Sequence, residues 1–297
     1  MRGLIVINGY PNGGKFYKQA EYIRDALKKM GLETEIRKNG EIFALLTADG
    51  GVKSNFLQKY SFAVYLDKDK YLGKLLERAG IRLFNRAEAV EICDDKMTTY
   101  LALADSGLRL AESIPAPLCY TPNAKPNANF LENTAQTLGF PLVAKKSYGS
   151  FGYGVQLVHG MPELQKIEEE WLYIPHFYQR YIAESCGRDI RVIVVGGKAI
   201  GGMERIAQGK EFRSNIELGG CGRKTELSEE VRKAAERAAS HLGLDYCGVD
   251  ILLSKDGPVI CEVNSNAFFE GFQQVTGIDV AMAYAEYIAS VNQSNII

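Results

Sequence analysis

The chain opens on a short unbroken apolar run, Gly3-Leu4-Ile5-Val6-Ile7. Such a run predicts a strand over 3–8 that is buried on both faces. The period then lengthens. Ala20, Ile23, Leu27 and Met30 fall on one face of a helix over 17–30, and Gly31 stops it. ETEIRK, FALLT and FAVYLD read as further strands, and KDKYLGKLLERAG as a helix ending at Gly80. Strands alternating with helices predict a parallel α/β layer over roughly the first 85 residues.

Beyond that layer, AEAVEICDDKMTTYLALADSG is a helical stretch. Pro115, Pro117, Pro122 and Pro126 then mark a linker or boundary. FLENTAQTLGF is a helix and PLVAKK opens a strand. From there the pattern turns to hairpins. PLVAKKSYGSFGYGVQLV reads strand, glycine-rich loop, strand, and DIRVIVVGGKAIGGMERIA reads as two strands joined at Gly196-Gly197. SEEVRKAAERAASHLG is an amphipathic helix with Ser228 as N-cap and two glutamates in its first turn. CGVDILLSKDGPVICEVN is another hairpin, and DVAMAYAEYIASV closes the chain as a helix. This part is α+β with antiparallel pairs, and it shows no repeat or low-complexity tract.

With 297 residues, 46% of them apolar, the chain can bury a sizeable core in two or three units. A net charge of −1 gives no general attraction to nucleic acid or to an anionic membrane. No run approaches the roughly 18 apolar residues that span a bilayer. The first apolar run is too short for a signal peptide, so a cytoplasmic location is expected. The six cysteines form no C-x-x-C pair, which argues against a zinc site or disulfide framework. The three histidines share no ligand spacing, which argues against a histidine-based nucleophile system.

The most phosphate-like stretch is NGYPNGGKFY, residues 8–17, with Gly9, Gly14 and Lys15 at P-loop spacing. The next position needs a hydroxyl for Mg²⁺, and Phe16 stands there. In the hairpin at 247–264, Glu262 and Asn264 are two apart and share a face. Asp250 joins them if a three-residue loop, Lys255-Asp256-Gly257, closes the hairpin with Gly257 left-handed. Facing carboxylates repel, and an oxygen-binding cation such as Mg²⁺ would relieve this; a half-solvated polar sheet face is the plainer alternative. In KKSYGSFGYG, Gly149, Gly152 and Gly154 let a loop approach phosphates or close as a lid, though a lone G-x-x-G-x-G also suits an ordinary hairpin. Lys145, at the end of an apolar strand, needs an anion if buried. Arg188, Arg191, Arg205, Arg213 and Arg223 could clamp carboxylates or phosphates, or pair with nearby glutamates. Lys96 follows two aspartates at a helix start and, taken alone, reads as solvated.

Together and in this order, DKMTTYLAL, PLVAKKSYGSFGYGVQL, QRYI, GRDIRVIVV, ERIAQGKEFRSNIELGG and GVDILL…GPVICEVN…EG resemble the ATP-grasp superfamily, and within it the RimK-like glutamate ligases. The resemblance covers about residues 90–290. It implies an N-terminal α/β domain at 1–90, a small subdomain with linker and glycine-rich lid at 91–184, and a large metal-bearing subdomain at 185–297. It implies that Lys96 and Lys145 reach the ATP phosphates and that the loop from Ser147 through Gly149 and Gly152 to Gly154 folds over them. Gln179, Arg180 and Tyr181 would border the adenine. Asp250, Glu262 and Asn264 would hold Mg²⁺, or Mn²⁺ in its place. Arg213 and Asn215 would lie where the activated carboxylate forms, with Asp189 and Arg205 lining the same cleft.

The sequence departs from the family pattern at the hinge, where Arg180 replaces an acidic residue and cannot accept hydrogen bonds. It departs again after the metal strand, where SNAFFEGF replaces a turn toward Pro-Gly. The implied activity is ATP-dependent amide formation through an acyl phosphate, on small-molecule or peptide acids and amines, with glutamate or a similar amino acid added. Positioning and cations would carry such chemistry, in keeping with the absence of a nucleophile–base pair. No nucleic acid or membrane partner is implied, and a homo-oligomer is compatible. Alternatives are a non-catalytic ATP-binding module, another ATP-grasp ligase, and a phosphotransferase using Lys15. If Lys15 binds anything, the acid or amine substrate is expected rather than ATP.

Overall fold

The computed structural model describes residues 2–10, 14–54, 56–209, 211–215 and 219–294. The N-terminal layer is a four-stranded sheet of β1 (Arg2–Ile7), β2 (Glu33–Lys38), β5 (Phe62–Leu66) and β6 (Arg82–Phe84), in the order β2-β1-β5-β6, all parallel. β3 (Leu45–Leu46) and β4 (Val52–Lys53) pair outside it as a small ribbon. FALLT therefore does not enter the main sheet; the short strand RLF, absent from the periodicity reading, completes it. β1 is apolar from Leu4 to Ile7 because both faces of that stretch are covered. Ile5 and Ile7 pack with Ala20, Ile23 and Leu27 of α1 (Lys15–Lys29). Leu4 and Val6 pack with Leu72 and Leu76 of α2 (Lys70–Arg78).

The predicted helical stretch near residue 95 is two helices, α3 (Ala87–Asp94) and α4 (Lys96–Leu103). Asp95 breaks it: its backbone is extended and its side chain accepts from the N–H groups of Met97 and Thr98. An aspartate offered as N-cap competes with helix continuation. α3 and α4 contribute Ala89, Cys93 and Leu103 to the core of the third sheet, so the head of the expected 91–184 unit packs on its neighbour.

The second sheet holds β7 (Ser113–Pro115), β8 (Leu142–Lys146), β9 (Val155–Val158) and β10 (His176–Arg180), in the order β7-β10-β8-β9 and antiparallel. Helices α5 (Ala128–Leu138) and α6 (Met161–Trp171) cover it through Leu131, Leu138, Leu164 and Trp171. The third sheet is antiparallel, β13-β12-β11-β14-β15, from β11 (Arg188–Val195), β12 (Lys198–Ile206), β13 (Cys221–Thr225), β14 (Tyr246–Ser254) and β15 (Gly257–Asn264). β11 and β12 turn at Gly196-Gly197, φ +56° and +77°, as their sequence predicts. One face carries α7 (Glu229–His241); the other shares a core with the N-terminal layer through α9 (Val280–Ser294), with α8 (Glu270–Thr276) beside it.

Asn85 stitches the two bodies together. Its Oδ1 accepts from the N–H groups of Asp245 (2.7 Å) and Tyr246 (2.9 Å). Its Nδ2 donates to the carbonyls of Tyr246 (2.7 Å) and Ser265 (2.8 Å). All four bonds of the amide are thus made in the interior.

Candidate active site

Asp250 faces Glu262 across β14 and β15, but not for the reason the sequence suggests. The turn has two residues, Lys255 and Asp256, with Ser254 opposite Gly257. The odd residue that brings the carboxylates opposite one another is a bulge at Cys261, between the Asp250–Glu262 and Ile251–Ile260 pairs. Gly257 does have positive φ, +113°.

Asp250 is buried and held by two guanidiniums. Arg191 donates Nε to Oδ1 and Nη2 to Oδ2, both at 2.7 Å, and Arg205 Nη2 lies 2.8 Å from Oδ2. Arg205 also donates Nε to Asp189 Oδ1 at 2.7 Å. Burial alone would push the Asp250 carboxyl up, but Arg191 and Arg205 hold it below its ordinary value. Glu262 is more open, and its Oε1 lies 3.5 Å from Lys96 Nζ.

The glycine-rich loop between β8 and β9 is fastened at three points by cations from three parts of the chain. Lys96 Nζ donates to the Gly149 carbonyl at 2.7 Å. Arg213 Nη1 donates to the Gly152 carbonyl at 2.9 Å. Lys68, 2.6 Å from Asp94, reaches Ser150 Oγ at 3.4 Å. Gly154 is required where it stands: its φ is +78°, and a Cβ there would lie 2.9 Å from the Lys146 side chain.

Thirteen of the sequence-predicted residues line one narrow cleft of about 110 Å³: Lys96, Lys145, Gly149, Gly152, Gln179, Arg180, Tyr181, Asp189, Arg205, Arg213, Asn215, Asp250 and Glu262. Ser147 and Gly154 belong to the same loop but do not line the cleft. The Ser147 N–H donates to the Pro175 carbonyl, its own carbonyl accepts from Lys96 N–H, and Gly154 accepts from Lys146 N–H. Lys145 is 7% exposed and makes no ion pair among the described residues; its Nζ lies 3.7 Å from Cys261 Sγ. Arg180 lines the cleft edge but directs its guanidinium onto the end of α5, donating to the carbonyls of Leu138 and Thr137 at 2.8 Å and pairing with Glu112. The substitution at the hinge is thereby spent on a helix C-terminus. Arg213 is bound by Glu211 through Nε (2.9 Å) and Nη2 (2.8 Å), and this pulls the Glu211 carboxyl down to about 2.

A second, wider cavity of about 470 Å³ opens at the C-terminal edge of the parallel sheet. Lys15 and Asn264 line this cavity and not the narrow cleft. Pro11 to Gly13 of the P-loop-like stretch lie outside the described residues. Lys15 Nζ sits 4.7 Å from the Phe151 ring centre and 4.4 Å from that of Phe268. Phe151 and Phe268 stack at 6.0 Å, and Phe16 meets Phe268 edge-on at 4.9 Å. The residue that spoils the P-loop pattern therefore helps close this cavity. The two cavities meet at Gly149, Ser150, Arg205, Asn215 and Glu262, which line both.

Residues 93–288 match the family model described as the RimK-like ATP-grasp domain. The chain belongs to the RimK-like ATP-grasp family. This RimK-like chain is 36% identical over 238 residues to beta-citrylglutamate synthase B of Danio rerio, covering 78% of the chain and 56% of that protein. It is 44% identical over 152 residues to a probable alpha-L-glutamate ligase 1 of Shewanella sp. strain MR-4, covering 50% of each. The chain thus spans little more than half the length of the curated relatives it matches. Among solved structures, a RimK domain ATP-grasp protein from Sphaerobacter thermophilus superposes with a TM-score of 0.73 at 18% identity, covering 97% of this chain and 99% of that one. That likeness concerns the fold.

The donor set of the RimK-like site suits a hard cation in part. Among the described residues no three His, Cys, Asp or Glu side chains converge as a metal cluster. Glu262 and Asn264 offer oxygen donors from one strand face, and buried Asn264 Nδ2 has no hydrogen-bond partner. An amide whose nitrogen is orphaned can turn to present its oxygen instead. Asp250 can contribute only an oxygen shared with Arg191 or Arg205.

Proposed function

We propose that this chain is the catalytic unit of an ATP-dependent carboxylate–amine ligase, adding glutamate or a similar amino acid to a small-molecule or peptide acid. The observation that carries this reading is the junction of the two cavities at Glu262, Arg205, Asn215, Gly149 and Ser150. A nucleotide in the narrow cleft would present its terminal phosphate there, beside an acid held in the wide cavity. The names of the relatives share glutamate as a component, which supports the choice of amino acid.

In the first step a carboxylate oxygen attacks the γ-phosphorus and ADP leaves. In the second the amine attacks the acyl carbon, the C–N bond forms and phosphate departs. Lys145, buried with no carboxylate partner among the described residues, would neutralise phosphate charge, and Lys96 would do so from the other side. The loop from Ser147 to Gly154, tied down by Lys96, Lys68 and Arg213, would exclude water from the acyl phosphate. Gln179, Arg180 and Tyr181 would border the base through the strand rather than through the Arg180 side chain. Arg205 and Asn215 would hold the reacting carboxylate, with Asp189 keeping Arg205 in place. Glu262 and Asn264, with Asp250 behind them, would hold Mg²⁺, which supplies charge neutralisation on the phosphates when bound.

The test is ADP release with Mg²⁺ over a panel of amino acids and acids, with mass spectrometry of the product. An amide whose formation consumes one ATP is expected. Tight ATP binding with no turnover on any pair would instead identify a non-catalytic module.

A further inference from the structure

Six carboxylates are buried among the described residues: Asp67, Glu168, Asp189, Glu204, Asp245 and Asp250. Five have a basic partner. Glu168 bonds the His176 imidazole, Asp189 and Asp250 hold Arg205, Glu204 holds Arg188 and Arg223, and Asp245 holds Arg82. Asp67 is the exception. It is 3% exposed, it makes no ion pair among the described residues, and its Oδ2 has no hydrogen-bond partner. Its Oδ1 accepts from Asn8 Nδ2 at 2.9 Å and from Lys68 N–H at 2.7 Å. The Lys68 side chain turns away to Asp94 and Ser150.

A buried carboxylate with no cation is costly, and such a group is normally paired or neutralised. Burial pushes the Asp67 carboxyl above its ordinary value, and the charge of Asp69 pushes the same way. Asp67 directly follows β5 and lines the wide cavity. A second unsatisfied acceptor lines it as well: buried Gln19 Oε1. The two converge on one loop, since Gln19 Nε2 donates to the Ala267 carbonyl and Asn266 Nδ2 to the Asp67 carbonyl. Two acceptors without donors among the described residues, one of them a carboxylate oxygen, would both be satisfied by a ligand that brings N–H groups and positive charge.

We propose that Asp67, together with Gln19 Oε1 of the same cavity, is the recognition site for the ammonium group of the amino-acid substrate. The site complements Lys145 in the narrow cleft: there a buried cation awaits an anion, here a buried anion awaits a cation. The proposal rests on the ligase reading, and it places the amino acid in the wide cavity together with the acid.

The test is calorimetric titration of the full chain with a non-hydrolysable ATP analogue and Mg²⁺ present. The ligands are L-glutamate against glutarate, L-aspartate against succinate, and glycine against acetate, each pair differing by the amine. Wild-type protein is expected to prefer one amino acid over its deaminated partner by about 30-fold or more. Asp67→Asn should abolish that preference while binding the ATP analogue as wild type does. Gln19→Met, which removes only the neutral acceptor, should weaken the same amino acid about 3- to 10-fold. This variant and the wild-type pairs decide the matter if Asp67→Asn does not fold. A wild-type protein with no preference in any pair, or an Asp67→Asn protein that keeps it, overturns the proposal. Titrating the ATP analogue by itself separates the two readings, because failure to bind it counts against the ligase reading alone.

Discussion

Arg191 grips Asp250 in a two-pronged ion pair, Nε to Oδ1 and Nη2 to Oδ2, both at 2.7 Å. Arg205 closes on the same carboxylate at 2.8 Å and reaches back to Asp189. Two carboxylates and two guanidiniums therefore form one compensated cluster under the junction of the cavities. Breaking such a cluster is costly because it leaves a buried charge alone.

Asp250 and Glu262 should accordingly fail in different ways. Glu262→Gln is expected to lower divalent-dependent ATP turnover about 100-fold or more with little change in stability. Asp250→Asn should lower turnover and also cost about 3–5 kcal/mol of unfolding free energy. The Asp250 carboxyl sits below its ordinary value, so its stabilisation is present above the unfolded carboxylate range and lost as pH falls through the folded value. The gap between wild type and Asp250→Asn should thus be full at neutral pH and shrink below about pH 4. Denaturant melts across pH and an ADP-release assay check both; equal stability of Asp250→Asn would contradict the cluster.

Lys145 and Lys15 should separate the two cavities. Lys145→Ala is expected to weaken ATP binding about 30-fold or more, since it removes a buried cation from the narrow cleft. Lys15→Ala should leave ATP affinity within a few-fold and raise KM for a non-nucleotide substrate. Parallel nucleotide titrations decide this, and loss of ATP binding in Lys15→Ala would restore the P-loop reading.

Arg180 directs its guanidinium onto the end of α5 while lining the edge of the narrow cleft. Arg180→Ala is expected to cost about 1 kcal/mol through the lost cap of α5, with little from the exposed pair to Glu112. The KM for ATP should stay within about two-fold, because no nucleotide contact of the side chain is lost. A large rise in that KM with unchanged melting would refute the assignment.

Arg213 latches the glycine-rich loop at Gly152. Arg213→Ala should make the segment 149–153 more open to proteolysis, with cleavage there mapped by mass spectrometry. Glu211 positions the guanidinium, and its carboxyl is drawn down to about 2. The stabilisation from that pair is present above the unfolded carboxylate range and lost only as pH falls toward 2, so the loop's protection should not vary between pH 5 and 8. Loss of protection within that window would show that another group controls the latch.

Much of the site was legible because its chemistry is local in sequence. The glycine loop, Lys145 at the end of an apolar strand, and the β14–β15 hairpin each carry their signal within a stretch of about twenty residues or fewer. The facing of Asp250 and Glu262 was reached by the wrong route. A turn residue was expected to supply the odd count, but a bulge at Cys261 does. Bulges leave little trace in hydrophobic period, since one extra residue costs the pattern only one position. The strand RLF was missed because three residues are too few to show a period, and Asp95 broke a helix whose pattern ran through it.

What the sequence determined by itself is most of the order of the elements and the list of candidate groups able to handle phosphate, because these follow from period, turn chemistry and local spacing; the family was reached through the resemblance of its motifs. Only the tertiary structure decided their partners. It assigned Arg191 and Arg205 to Asp250, Arg180 to a helix end, Phe16 to an aromatic wall and Asn85 to the seam between two sheets. It also left Asp67 buried without a cationic partner among the described residues. Partnership of this kind depends on distances between residues far apart in the chain, and charge compensation in a low-dielectric interior is a property of the packed whole.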